Sequence, residues 1–170
     1  PHSVIKFPPG SGPRHMSFHP REPWAYVVTE LSNQIHCFDL SPEGNLVEKG
    51  MFNLLPESYD GDSFAADILV DPSGKYLYAT NRGHESICVF RVSEKDGNLT
   101  YQEHVSSEGK FPWSLDISDH GEFVLVANQH SNNVVIFQRD LSRGSLSKFL
   151  EITDVESPVS ARFLPITEAN

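Results

Sequence analysis

The chain has 170 residues, 38% of them hydrophobic and 21% charged, with a formal net charge of −10. That balance fits one folded domain and excludes an intrinsically disordered chain, which would be poorer in apolar residues. The acidic excess excludes a partner held by a basic surface, so neither nucleic acid nor an anionic membrane is expected. No apolar run approaches the roughly 20 residues of a membrane helix.

In chain order, the apolar segment VIKF (Val4–Phe7) comes first and reads as a short strand. Three stretches then align without internal gaps: Pro13 to Leu40, Ala65 to Val92 and Pro112 to Arg139. Phe18, Val70 and Ile117 correspond, as do Tyr26, Tyr78 and Leu125, and Phe38, Phe90 and Phe137. A fourth copy opens at SPVSARFLP, where Phe163 matches Phe18. The periods are 52, 47 and 46 residues. Repeats of this length are the signature of propeller blades or solenoid units.

Each repeat predicts four strands. The segments WAYVVTE, KYLYATN and EFVLVAN are short, β-branched and aromatic. Ahead of them lie the turns HPREP, DPSGK and SDHGE, and behind them LSNQ, GHES and HSNN. IHCFDL, ICVFRV and VVIFQR make a third strand. Gly44, Gly97 and Gly144 each stand two residues before a leucine and mark the hairpin into a fourth. Four strands per repeat make an all-β propeller of four-stranded antiparallel blades. The expected blades are 13–53, 65–107 and 112–153, with the opening strand of a further blade at 157–165, about three and a half in all. VIKF then belongs to the outer strand of a preceding blade. A closed propeller needs four to eight blades, so the repeats imply a longer protein or a second half, and exposed blade faces that could self-associate.

One polar position recurs in register at the end of the second strand: Glu30, Arg82 and Gln129. In a blade the first and second strands are antiparallel, so the start of the first lies beside the end of the second. Arg14 and His15 therefore share a rim with Glu30, Ala66 and Asp67 with Arg82, and Trp113 and Ser114 with Gln129. His84, just past Arg82, is within reach of that rim. Charges ending apolar strands near a central channel need partners, because unpaired burial costs several kcal/mol. Two readings stand: an ion-pair network that binds the blades together, or an anion-binding and acid/base site. Arginine offers a planar fork of donors that suits a carboxylate or phosphate, and Glu30 could move a proton. No HExxH, phosphate loop or GxSxG elbow is present, so no metal, cofactor or serine nucleophile is expected.

The motifs GSGPRHMSFHP, YVVTELSN, AADILVDPSGKYLYATNRGHESICVFRV and FVLVANQHSNNVVIF resemble the lactonase family of seven-bladed propellers. That family includes the bacterial propeller-type 6-phosphogluconolactonases and the fungal 3-carboxy-cis,cis-muconate lactonizing enzymes. The resemblance implies that this chain is roughly the C-terminal half of such a propeller. It implies catalytic roles for Arg14, Glu30 and Arg82, which match the family's GPRH arginine, strand-ending glutamate and NRG arginine. The shared rim, read from the repeat itself, adds His15, Asp67, Gln129 and His84 as candidate substrate contacts. Members commonly read Pro-Arg where this chain has Pro112-Trp113, so one cation of the pattern is replaced. The activity implied is hydrolysis of a sugar lactone, most simply 6-phosphogluconolactone. The alternatives are a carboxy-muconate cycloisomerase using the same residues and a propeller that binds a small anion without turnover. Cys37 and Cys88 read as free packed thiols, which suits the cytoplasm.

Overall fold

Short runs of β-branched and aromatic residues between Pro, Gly and Asp turns become twelve strands in the computed structural model, which describes residues 4–164. The first blade holds β1 (Pro13–Phe18), β2 (Trp24–Thr29), β3 (Gln34–Leu40) and β4 (Leu46–Asn53). The second holds β5 (Phe64–Val70), β6 (Tyr76–Arg82), β7 (Ser86–Val92) and β8 (Leu99–Ser106). The third holds β9 (Pro112–Ile117), β10 (Phe123–Asn128), β11 (Asn133–Arg139) and β12 (Leu146–Ile152). Each is a separate four-stranded antiparallel sheet with its strands in sequence order. Among the described residues no helix is long and apolar enough to cross a membrane.

Blades stack face to face, which is why their middle strands lack polar alternation. Every residue of β2 and β6 is buried, as expected of strands covered on both faces. One core lies between the first two blades and includes Tyr26, Ile35, Cys37, Leu77, Cys88 and Phe90. A second lies between the second and third and includes Tyr78, Val89, Leu115, Val126 and Phe137. Both cysteines are free and buried, and burial pushes the Cys37 thiol up to about 12 and the Cys88 thiol higher still.

Two devices lock neighbouring blades in register. The outer hairpins interlock with the preceding blade: Tyr26 Oη donates to Gly97 O at 2.8 Å and Tyr78 Oη to Gly144 O at 2.7 Å. The innermost strands are sheet edges whose outward N–H groups lack a ladder partner. Side chains of the preceding blade accept them. Ser17 Oγ accepts from Val70 N at 2.9 Å and Asp67 Oδ2 from Leu115 N at 3.1 Å; Asp116 Oδ2 accepts in the same way from Phe163 N, in the segment after the third blade, at 2.8 Å.

The two ends of the chain differ from expectation. Val4–Phe7 forms no strand. Ile5 and Phe7 instead pack on Ala25, Val27 and Phe38, covering part of the first blade's open face. Residues 157–164 are likewise not a strand, and the remaining residue of that expected element lies outside the described residues. Here Val155, Ala161 and Phe163 pack on Leu125, Ala127 and Val134. A strand exists only with a ladder partner, and the described residues offer none to either segment.

Candidate functional site

The site is built where β1, β5 and β9 begin. Each of these strands carries an irregularity in its pairing with the next: between Pro13 and His15, between Ala65 and Ile68, and at Trp113, which is skipped between Pro112 and Ser114. Bulges re-aim side chains out of the pleat. Arg14, Asp67 and Trp113 are the residues so displaced.

Glu30 is the hub. Its backbone N–H donates to Gly12 O at 2.7 Å, and its carbonyl accepts from Ala65 N at 3.1 Å. The first bond ties the end of β2 to the start of β1 within one blade, and the second ties the first blade to the start of β5 in the next. Arg82 Nη2 donates to Glu30 Oε1 at 2.6 Å, and Arg14 Nε lies 3.9 Å from Oε2. The Arg82 side chain is only 4% exposed and also donates to Phe64 O (3.1 Å) and Ala65 O (3.2 Å). The Glu30 side chain keeps 34% of its surface open. Arg14 donates to Ala66 O at 2.6 Å. Burial, and then the charge of Arg82, pull its guanidinium below the usual value, opposed by Glu30 and Asp67. An aromatic wall closes one side: the Arg82 guanidinium lies 4.7 Å from the Trp113 ring and 5.2 Å from Phe111, and Arg14 lies 5.6 Å from Trp113.

The remaining candidates divide. His15 joins the cluster through its Nδ1, 2.7 Å from Asp67 Oδ1, and is itself largely exposed. Asp67 is buried, and both its oxygens are engaged: Oδ1 also accepts from Ile68 N and Oδ2 from Leu115 N. It holds His15 and joins two blades, with no oxygen turned to a ligand. Gln129 is half-buried and its side chain makes no hydrogen bond among the described residues, while its N–H donates to Phe111 O at 3.0 Å. His84 is drawn elsewhere. The segment 54–63 before the second blade is longer than its counterpart 107–111, which accounts for the longer first period. Tyr59 in that segment meets the His84 ring at 4.7 Å, and His104 meets it at 5.1 Å. Burial, and then His104, lower its pKa.

Two contributions were not anticipated. Trp113 and Phe111 contact the arginines directly. Arg162 reaches in from the end of the described chain, with Nη1 donating to Leu115 O at 3.2 Å and Nη2 4.0 Å from Asp67 Oδ2. The register of the fourth copy aligns Arg162 with Ser17, whose hydroxyl faces the next blade, and that alignment is the signal that could have found it. Together these groups make a half-exposed carboxylate between two guanidiniums, a set able to grip an anionic oxygen and move a proton beside it.

Residues 1–163 match the family model described as "Lactonase, 7-bladed beta-propeller". The chain is 37% identical over 159 residues to a 6-phosphogluconolactonase of Bacillus subtilis, covering 93% of this chain and 46% of that protein. It is 41% identical over 147 residues to a 6-phosphogluconolactonase of Formosa agariphila, covering 85% and 41% respectively. The structure of the Pseudomonas aeruginosa periplasmic gluconolactonase PpgL superposes with a TM-score of 0.89 at 33% identity, covering 96% of this chain and 45% of that one. The chain thus spans about half the length of the relatives it matches. With three blades in sequential order and a match across nearly its whole length, the chain belongs to the lactonase family of seven-bladed β-propellers.

Proposed function

We propose that this chain contributes about half of the active rim of a lactone hydrolase, and that the whole protein opens 6-phosphogluconolactone to the hydroxy acid. The observation that carries this reading is the Glu30 carboxylate, held by Arg82 at 2.6 Å and flanked by Arg14, yet open to solvent on one side. A water molecule on that open side gives a proton to Glu30 as it adds to the lactone carbonyl carbon. The carbonyl oxygen becomes an oxyanion, which the Arg14 guanidinium stabilises. Collapse of the adduct breaks the ring C–O bond, and the departing alkoxide takes the proton back from Glu30. Lactone plus water becomes hydroxy acid, and Glu30 is restored. Arg82, committed to two carbonyls and to Glu30, orients the base. The names of the relatives from Bacillus subtilis and Formosa agariphila support the substrate.

Glu30→Gln in the full-length protein tests the mechanism. Removing a general base should lower kcat by about 10²–10⁴, read as initial rate above spontaneous lactone hydrolysis, with the circular dichroism spectrum unchanged. Turnover equal to wild type removes Glu30 from the reaction. The same assay run with a carboxy-muconate and its lactone detects a cycloisomerase working through these residues. Binding of a sugar acid without turnover of either substrate would make the rim a binding module. The cytoplasmic location rests on the two free cysteines; cell fractionation decides it against the periplasmic placement printed for the Pseudomonas relative.

A further inference from the structure

We propose that Trp113 is a positioning residue of this rim: its indole holds the guanidiniums of Arg82 and Arg14 toward Glu30, so that three blades converge on one carboxylate. The kinetic half of this inference rests on the lactone-hydrolase reading; the structural half does not.

The ion pairs alone do not fix Arg14. Arg14 Nε stands 3.9 Å from Glu30 Oε2, beyond hydrogen-bond reach, and Arg14 has one carbonyl, Ala66 O, to fix it at 2.6 Å. Its other contact is the ring of His15, its chain neighbour, with nitrogens 3.1 Å from Arg14 Nη1, and that ring is itself largely exposed; a long side chain held this way keeps much of its rotamer freedom. Trp113 supplies the missing constraint, its ring 5.6 Å from the Arg14 guanidinium carbon and 4.7 Å from that of Arg82. Both distances lie within the range where a cation is attracted to an aromatic face. The ring reaches them because the β9 irregularity takes Trp113 out of the regular pairing with β10.

Phe111 points the same way. It sits at φ +64, a backbone region that costs a bulky residue free energy. Three contacts hold it there: its N–H donates to Glu85 Oε2, its carbonyl accepts from Gln129 N, and its ring stacks on His130 at 4.1 Å. The result is a second ring, 5.2 Å from Arg82 and 5.9 Å from Trp113. Both rings therefore converge on the guanidinium that orients Glu30.

Two substitutions in the full-length protein separate the π face from simple bulk. Trp113→Phe keeps an aromatic ring, while Trp113→Met fills space without one. Expected for Trp113→Met is a fall in kcat of about tenfold with KM for 6-phosphogluconolactone nearly unchanged, and for Trp113→Phe a recovery of most of that loss. Equal losses in the two variants, or no loss in either, overturn the proposal. A second readout needs no activity: the Arg14 Nε–H resonance in a nitrogen-15 spectrum, shifted by the ring current in wild type and in Trp113→Phe and returned toward the free-arginine position in Trp113→Met. An Arg14 signal already at the free position in wild type overturns the proposal even if Trp113→Met does not fold. A wild-type protein that hydrolyses no lactone but shows the shifted resonance, lost in Trp113→Met, defeats the hydrolase reading and upholds the positioning role.

Discussion

Removing Arg139 should uncouple the second and third blades. Its guanidinium is 2.8 Å from Asp71 Oδ2, with both side chains almost fully buried at 2% and 0% exposure. Asp71 opens the turn between β5 and β6, and Arg139 ends β11, so the pair ties two blades at the end opposite the candidate site. Arg139 Nε also donates to Gly121 O in the third blade's own turn. Arg139→Met leaves Asp71 without its cation. Breaking a buried pair from one side costs about 3–5 kcal/mol. Asp71 retains the N–H of Tyr76 at 2.9 Å and the N–H and hydroxyl of Ser73, which places the loss near the lower end, about 3 kcal/mol. For a chain of this size that is a fall in Tm of about 6–12 °C. The assay is thermal and urea unfolding at neutral pH, with Asp71→Asn added to the same variant. The double variant should recover part of the loss, because the stranded charge is gone. A single-variant loss below about 1 kcal/mol, or a double variant less stable than the single, refutes the reasoning.

The hairpin glycines provide an internal control. Gly144 (φ +75) and Gly44 (φ +82) share a left-handed backbone, but a Cβ on Gly144 would come within 2.3 Å of Tyr76, whereas on Gly44 it meets nothing within 4 Å. Gly44→Ala should cost about 1 kcal/mol for backbone strain alone, and Gly144→Ala about 1–3 kcal/mol more for overpacking; urea midpoints that fall equally would sink the interlocking-hairpin account. Acid should destabilise the fold through His84, whose pKa burial and His104 lower from 6.5. The unfolded chain then binds the proton first, so stability present above about pH 6.5 is lost as pH falls toward the lower folded value. His84→Gln should flatten that decline, and an unchanged slope between pH 7.5 and 5.5 would show that His84 is not its source.

Strand identity was legible in the sequence because local chemistry decides it. WAYVVT, KYLYAT and EFVLVA cannot sit comfortably in helices, and the repeated turn residues set where each hairpin reverses. The meeting of Arg14, Glu30 and Arg82 was legible for a related reason. Antiparallel pairing fixes which strand ends are neighbours, and an in-frame repeat carries that relation from blade to blade. The end segments were misread because pairing is not a local property: Val4–Phe7 has an apolar strand's composition but finds only a side-chain surface to cover.

The finer points of the site needed the three-dimensional arrangement of the blades. Asp67 looked available beside the channel until Leu115, 48 residues on, was seen to donate its N–H to it. His84 follows Arg82 closely in sequence, yet the 54–63 segment covers it with Tyr59. Trp113 read as a cation lost from the rim; packed against Arg82 and Arg14 it is an aromatic support for the cations that remain. By itself the sequence determined the repeat, the strands and which residues share a rim, because these follow from side-chain chemistry and register. Only the tertiary structure decided which rim groups stay free and which are already bound. That depends on contacts of a few ångströms between blades, set by how one twisted sheet stacks on the next.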